Sequence, residues 1–535
     1  MDFRKAGHVR KMRSAFGGLA FLLAVGGCDG FWSHLAEDCE LLVTCDHFSP
    51  SSTGGGGTPG PTCEADPTEN ASTVSNECAV FASASAEPGG DGTKEKPYAS
   101  LGEAIANAKG KRVLACASGA FAESVTIGAG LEVIGGFDCD AEWTWSEEAR
   151  SAIEGPAGAV ALTLAEGASG VKVRGFSVRA ASATEPGGPS IGVAVADIEA
   201  KLTQVDVTAG DGMDGVNGET PTEAPQAGAS ASAVVSEACD APNQVFGGDP
   251  GVTTCEDGET RGGAGGPGGI TGEDEGKGQN GADGAPLPEP NPNSRGLGGP
   301  GQKDASGECE AGANGKSGDL GNAGTAGSGT TLTLAGVTGG DGGSGTTGTR
   351  GQGGGGGGGA KAGLFCLGPG MSTVDGVGAS GGGGGAGGCG GKGGGGGKAG
   401  GSSIGIVSLG TKLVLTEVTV AVGKAGKGGD GAGGRGGGLG GSGGTGGTPS
   451  TLGGSAGCRG GDGGQGGTGG PGGGGRGGHA VGIAYAVTPS AAVALKDFTE
   501  GAAGDGGRTA PGGNAGTSGT SGECWDFTAN ASCGQ

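Results

Sequence analysis

Glycines in this chain fall into step. Gly312, Gly315, Gly318, Gly321, Gly324 and Gly327 stand three apart in a stretch with no other glycine. The same step runs through 339–357, 378–396, 428–446, 460–478 and 513–522. A period of three belongs to the extended polyproline II helix, with three residues per turn and about 3.1 Å of rise per residue. One edge of such a helix is then all glycine, so neighbouring helices approach until N–H and C=O groups bond between them. With 143 glycines in 535 residues and aromatics at 4%, main-chain pairing has to replace much of the usual apolar core. Ordering glycine loses more backbone entropy than ordering any other residue. Slack, disordered linkers are therefore the competing reading, although a linker has no reason to keep phase. Collagen does not fit, because the runs are short, several break phase and only 24 prolines are present.

The amino terminus carries an address. Arg4, Lys5, Arg10, Lys11 and Arg13 precede an apolar run from Ala15 to Val25, the layout of a secretory signal and too short for a membrane span. Val25-Gly26-Gly27-Cys28 resembles the bacterial lipobox, which implies cleavage before Cys28 and lipidation of its thiol, holding residues 28–62 as a flexible Gly/Pro-rich tether at the membrane. Cleavage there takes the formal net charge from −24 to −28. So acidic a chain is a poor partner for nucleic acid.

Fourteen cysteines remain after Cys28, an even number in a chain addressed to an oxidising compartment, so disulfides are expected. Spacing favours local pairs: Cys39 with Cys45, Cys63 with Cys78, Cys116 with Cys139, Cys239 with Cys255, Cys366 with Cys389 and Cys524 with Cys533. Cys309 and Cys458 are left as the remainder. No C-x-x-C occurs, and zinc is not expected.

Between the tether and the glycine runs, residues 63–208 read as a folded β domain. Ser100 and Glu103 form a capping box ahead of Leu101, Ala104, Ile105 and Ala108, so a short amphipathic helix lies there. Strand-like segments follow at 112–117, 123–127, 131–136, 159–164, 171–178, 191–198 and 202–207. Cys116 and Cys139 lie about one solenoid coil apart, where stacked strands about 4.8 Å apart allow a disulfide.

The segments 92–108, 117–127 and 131–140 resemble the N-terminal domain of right-handed parallel β-helix proteins of the pectate-lyase-like class. The resemblance implies an all-β fold whose single helix caps the open end of the coil. In residues 209–535, β-like segments at 330–340, 362–368, 403–423 and 479–501 are expected to continue the β-helix, with the glycine runs as polyglycine-II-like or disordered excursions from one side. In composition this half resembles the glycine-repeat surface proteins of mycobacteria. Its triplet phase resembles the polyglycine bundles of a phage tail adhesin and of the snow flea antifreeze protein.

Catalytic machinery is sparse. Only His34, His47 and His479 follow the signal, too few for a Ser/His/Asp or Cys/His arrangement. A lyase site on adjacent coils would draw on Asp197 and Asp206 with Arg174 or Arg179, residues that otherwise read as solvated charges. Asp211, Asp341, Asp430, Asp462 and Asp505 sit in Gly-Asp-Gly contexts. They suit weak calcium binding or simply turn hydrogen bonding, and they lack the apolar residue of the calcium-binding nonapeptide. The expectation is a non-enzymatic, lipid-anchored protein of the outer membrane or cell surface of a Gram-negative bacterium. It has no cofactor or metal, a structural or adhesive role, and matrix or polysaccharide as partner. The alternative is a carbohydrate-binding or polysaccharide-degrading β-helix protein.

Overall fold

The computed structural model describes residues 63–239, 245–367, 373–450, 454–489 and 494–533. The signal, Cys28, the tether and the Cys39–Cys45 pair lie outside the described residues, as do His34 and His47.

The regular secondary structure is mostly strand with very little helix, and its main part is two parallel sheets between which the chain alternates. The first, of eleven strands among the described residues, takes in Ala79–Ala82, Arg112–Cys116, Glu132–Asp138, Val171–Ala180, Ala200–Ala209, Thr419–Val422 and Asp497–Thr499 in that order. The second orders Val125–Ile127, Val160–Leu164, Ser190–Val195, Ser403–Ser408, Ala480–Tyr485 and Ser521–Asp526. Both sheets thus run on from the proximal region into strands that lie hundreds of residues later. Ser190 pairs with Ser403, Ala200 with Leu413 and Asp206 with Thr419, a constant offset of 213 residues.

Alternation makes the core. Val171–Ala180 and Ala200–Ala209 share one burial pattern, with Val173, Phe176 and Val178 inside on the first and Leu202, Val205 and Val207 on the second. Each fully buried Val or Phe side chain contributes about 1.5–3 kcal/mol. The inward phase slips by one residue in mid-strand, where Gly175 and Gln204 take positive φ. Gly136 and Glu417 take positive φ in the same sheet, so the bend recurs from strand to strand. A side chain at Gly175 would meet the Gly135 carbonyl oxygen at 2.7 Å.

The helix Leu101–Ala106 closes one end of this core through Leu101, Ala104 and Ile105. Ser100 Oγ accepts from the Glu103 N–H at 3.1 Å, as the capping box requires. The returning carboxylate, however, is that of Glu123, which accepts from Leu101 N–H at 2.7 Å and from Ser100 Oγ at 2.8 Å. Glu123 leads into the strand Val125–Ile127 at the end of the second sheet, which packs against the helix, and so reaches these groups from that sheet.

Disulfides join Cys63–Cys78, Cys116–Cys139 and Cys524–Cys533, and Cys309 pairs with Cys458. The local pairs Cys239–Cys255 and Cys366–Cys389 do not form. Cys255 is bonded to Cys389 across 134 residues, because glycine runs far apart in sequence lie side by side. Cys239 is also disulfide-bonded, and the side chain of Cys366 lies outside what is described. Two further expectations change. Residues 330–340 form the antiparallel hairpin Thr330–Thr333 with Gly336–Gly339, and 362–368 contribute Gly363–Leu367 to another with Thr373–Gly376. Neither joins the parallel sheets: each reverses the chain between one glycine run and the next.

Candidate functional site

All glycine excursions leave from one corner. They depart after Ala200–Ala209, Thr419–Val422 and Asp497–Thr499 of the first sheet, and return at Ser403–Ser408, Ala480–Tyr485 and Ser521–Asp526 of the second. Ser190 and Ser403, stacked and buried at that corner, accept the N–H of Gly210 at 2.8 Å and of Gly423 at 2.9 Å.

Beyond the corner the chain is held sideways by its own main chain. Every third N–H from Gly312 to Gly327 donates to a carbonyl three residues further along 459–474: Gly312 to Arg459, Gly315 to Asp462, Gly318 to Gln465, and so on to Gly327 and Gly474. The run 426–447 pairs the opposite way with 380–401, from Gly426 on Gly401 to Gly447 on Ser380. Bonds to one neighbour at every third residue require three residues per turn. The remaining residues of each triplet face other neighbours. Residues 340–360 donate to 382–397, 310–325 and 279–285, and accept from 458–476, 263–269 and 299–302. That helix has six neighbours.

Glycine density follows depth. A side chain placed at Gly466 would lie 2.0 Å from the Cys389 carbonyl oxygen, and one at Gly384 2.0 Å from that of Gly354. Over 353–359 a Cβ is excluded at every position, and the tracts 351–360 and 376–389 are buried throughout, with side chains such as Ala360, Ala379 and Ala386 fitted at single places. A peripheral helix such as 312–327 needs glycine only where it touches the bundle, and its other positions are mostly exposed. At several rims, side-chain oxygens finish the ladders. Asp211, Asp214 and Asn217 accept the N–H of Lys424, Lys427 and Asp430, each at 2.7 Å. Thr346 and Thr349 accept those of Asn322 and Asp319, also at 2.7 Å.

The Gly-Asp-Gly aspartates serve the same end. Asp430 accepts Arg508 N–H at 2.7 Å, Asp462 that of Gly443 at 2.8 Å and Asp341 that of Ala399 at 2.8 Å. Burial alone would raise the Asp341 carboxyl, yet hydrogen bonds from Lys398 and the Ala399 N–H hold it below the ordinary range. Among the described residues no group of three His, Cys, Asp or Glu side chains is placed to hold a metal ion.

The lyase candidates are not drawn together. Asp206 faces Arg150 at 3.3 Å and accepts from Thr419 Oγ1 at 2.6 Å. Arg174 binds Asp66 at 3.2 Å and lies 4.7 Å over the Trp145 ring, while Arg179 stands opposite Glu154 in the neighbouring strand.

Polar side chains converge instead in a cleft of 430 Å³ in the bundle, between the loop around Glu223 and the hairpin Val252–Cys255 with Gly258–Arg261. Gly348 and Gly390 form part of its wall with Thr254, Thr347 and Glu256. Lys392 spans it, 2.7 Å from Glu223 and 3.6 Å from Glu256. The hydrogen bond to Glu223, then both carboxylate charges, raise the Lys392 pKa. The Cys255–Cys389 disulfide ties the hairpin to the neighbouring helix. These residues are scattered over 170 positions of sequence with no motif, and only the bundle's pairing brings them together.

His479 sits where a glycine helix re-enters the second sheet and is 1% exposed. Its Nε2 meets Thr330 Oγ1 at 2.8 Å and Arg476 Nε at 3.2 Å. Nδ1 accepts the Thr520 N–H at 3.1 Å and Phe527 packs edge-on. Burial, then the Arg476 charge, push its pKa down to about 3, so the ring is neutral and structural at ordinary pH.

No protein family, curated protein or solved structure matches this chain.

Proposed function

We propose that this chain is a lipid-anchored cell-surface protein with a structural or adhesive role. In this reading a right-handed parallel β-helix, capped at its membrane-proximal end, carries a bundle of polyglycine-II-like helices away from the envelope toward matrix or polysaccharide. The observation that carries it is the lateral ladder: helices each bonded to as many as six neighbours make a stiff body with little apolar core, and its rim positions carry Asp, Thr, Asn and Lys. The disulfides suit the oxidising side of a membrane, and the signal-like terminus with Cys28 supplies the anchor. Metabolic labelling with palmitate tests the anchor, and protease shaving of intact cells tests display. Label that persists in Cys28→Ser, or a chain protected from protease on intact cells, removes this reading.

The cleft over Gly348 and Gly390 favours a second reading, a carbohydrate binder or polysaccharide-degrading protein, since carboxylates, hydroxyls and an ammonium group line it and match sugar hydroxyls. A glycan array with the intact, oxidised chain separates the two, and turnover of a bound polysaccharide would mark an enzyme.

A further inference from the structure

One line of the bundle is only half filled. In its distal part, residues 262–269 lie in a channel between 354–360 and 378–384. Gly263, Gly266 and Gly269 donate to the carbonyls of Gly354, Gly357 and Ala360, and accept from the N–H groups of Gly384, Gly381 and Gly378. At the hairpin, Thr260 Oγ1 takes over the next step, accepting from Gly387 N–H at 2.9 Å and donating to the Gly351 carbonyl at 2.9 Å. The same two rails continue past it. Among the described residues nothing accepts from the N–H of Gly390, Gly393 or Gly396, and nothing donates to the carbonyls of Gly348, Gly345 or Gly342. Asp341 closes the far end by accepting from Ala399 N–H. Gly390, Gly393 and Gly396 are half-buried, whereas Gly381, Gly384 and Gly387 on the same rail are buried. The cleft described above opens on the first of these empty steps, at Gly348 and Gly390.

We infer that this channel is a docking site for an extended polypeptide segment of Gly-Gly-X triplets supplied by another protein. Like the edge of a sheet taking an added strand, the rails present donors on one side and acceptors on the other, repeating about every 9 Å for three residues of such a helix. The occupant's chemistry is read from residues 262–269, which hold the same rails next door. There, a Cβ at Gly262, Gly265 or Gly268 would lie 1.9, 2.0 or 1.9 Å from the carbonyl oxygens of Gly384, Gly381 and Gly378. Any residue but glycine at those places is excluded, while the third place of each triplet holds Ala264 and Pro267. This goes beyond the adhesive reading and needs no lipid anchor or glycan, so its failure in solution leaves that reading untouched.

The test uses the full, oxidised chain and a fluorescent peptide, Gly-Gly-Ala-Gly-Gly-Pro-Gly-Gly, followed by anisotropy and by hydrogen exchange. Saturable binding is expected, with slowed exchange confined to amides of 390–396. Replacing the three excluded glycines of the peptide by alanine should weaken binding by at least about tenfold. Thr347→Trp or Thr254→Trp, at exposed positions lining the cleft, should do the same, and Thr445→Trp, exposed elsewhere on the bundle, should not. The variants' circular dichroism must match the parent. No saturable binding, equal binding of the alanine peptide, or no change in exchange at 390–396 overturns the proposal. So does protection at 390–396 that is present without peptide and vanishes on dilution, which would assign the channel to a second copy of this chain.

Discussion

Gly466→Ala and Gly436→Ala make a matched pair, two identical substitutions in adjoining helices. At Gly436 an added Cβ meets nothing within 4 Å, whereas at Gly466 it lies 2.0 Å from the Cys389 carbonyl oxygen. Ordinary C···O contact needs more than 3 Å, so helix 457–478 has to shift outward by over an ångström around Gly466. Its bonds with the run that carries Cys389, donated by Gly385, Gly388 and Gly391 to the carbonyls of Gly461, Gly464 and Gly467, are 3.0, 2.9 and 2.9 Å, and a shift of that size breaks them. Three lost bonds at about 1 kcal/mol each, in a buried setting where stranded groups cost more, give roughly 3–5 kcal/mol of local destabilisation. Gly436→Ala should instead be neutral or stabilise by about 0.4–1 kcal/mol, through the unfolded chain. Native-state hydrogen exchange across 457–478 is the assay, with guanidinium midpoints by circular dichroism beside it. Equal tolerance of the two substitutions, or free-peptide exchange in the parent, would refute the idea that bare main-chain contact holds the bundle.

Opening Cys255–Cys389 by a Cys→Ser pair releases a loop of 134 residues, for which chain entropy predicts up to about 5 kcal/mol; a lowered guanidinium midpoint with unchanged far-UV spectrum is expected. His479 has a folded pKa of about 3 against 6.5 in the free side chain. The unfolded chain therefore binds the extra proton between those values: stability is complete above pH 6.5 and falls as pH drops toward 3, by at most roughly 5 kcal/mol. His479→Gln should flatten that acid limb in a pH series of denaturation midpoints. Glu123→Ala strands the Leu101 N–H and the Ser100 hydroxyl, and should cost about 1–2 kcal/mol, read as faster exchange in the helix Leu101–Ala106.

Periodicity carried much of this architecture in plain view. Triplet phase marked 312–327 as a helix whose glycine edge faces a neighbour, and alternation in 171–178 and 202–207 located strands within a few residues of Val171–Ala180 and Ala200–Ala209. Alternation does not distinguish a strand of a parallel sheet from half of a hairpin, and so 330–340 reads like the former although it folds as the latter. Nor do the dense tracts 353–359 and 381–385 show phase, since glycine at every place satisfies any register. They are nevertheless the helices with the most neighbours. The Cys255–Cys389 pair and the cleft are illegible for one reason: Cys255, Cys389, Glu223 and Lys392 meet only through which run lies beside which, a choice made by main-chain groups that every glycine shares.

The mixture of parallel and antiparallel neighbours has a consequence for how such a body grows. A threefold screw offers the same bonding groups to a chain passing in either direction, so an added excursion can settle into any vacant flank whether it is outbound or homeward. Strands of the parallel sheets must arrive in one sense and one order; the glycine helices are free of both constraints, and the bundle can thicken on any flank while the sheets lengthen only at their two ends.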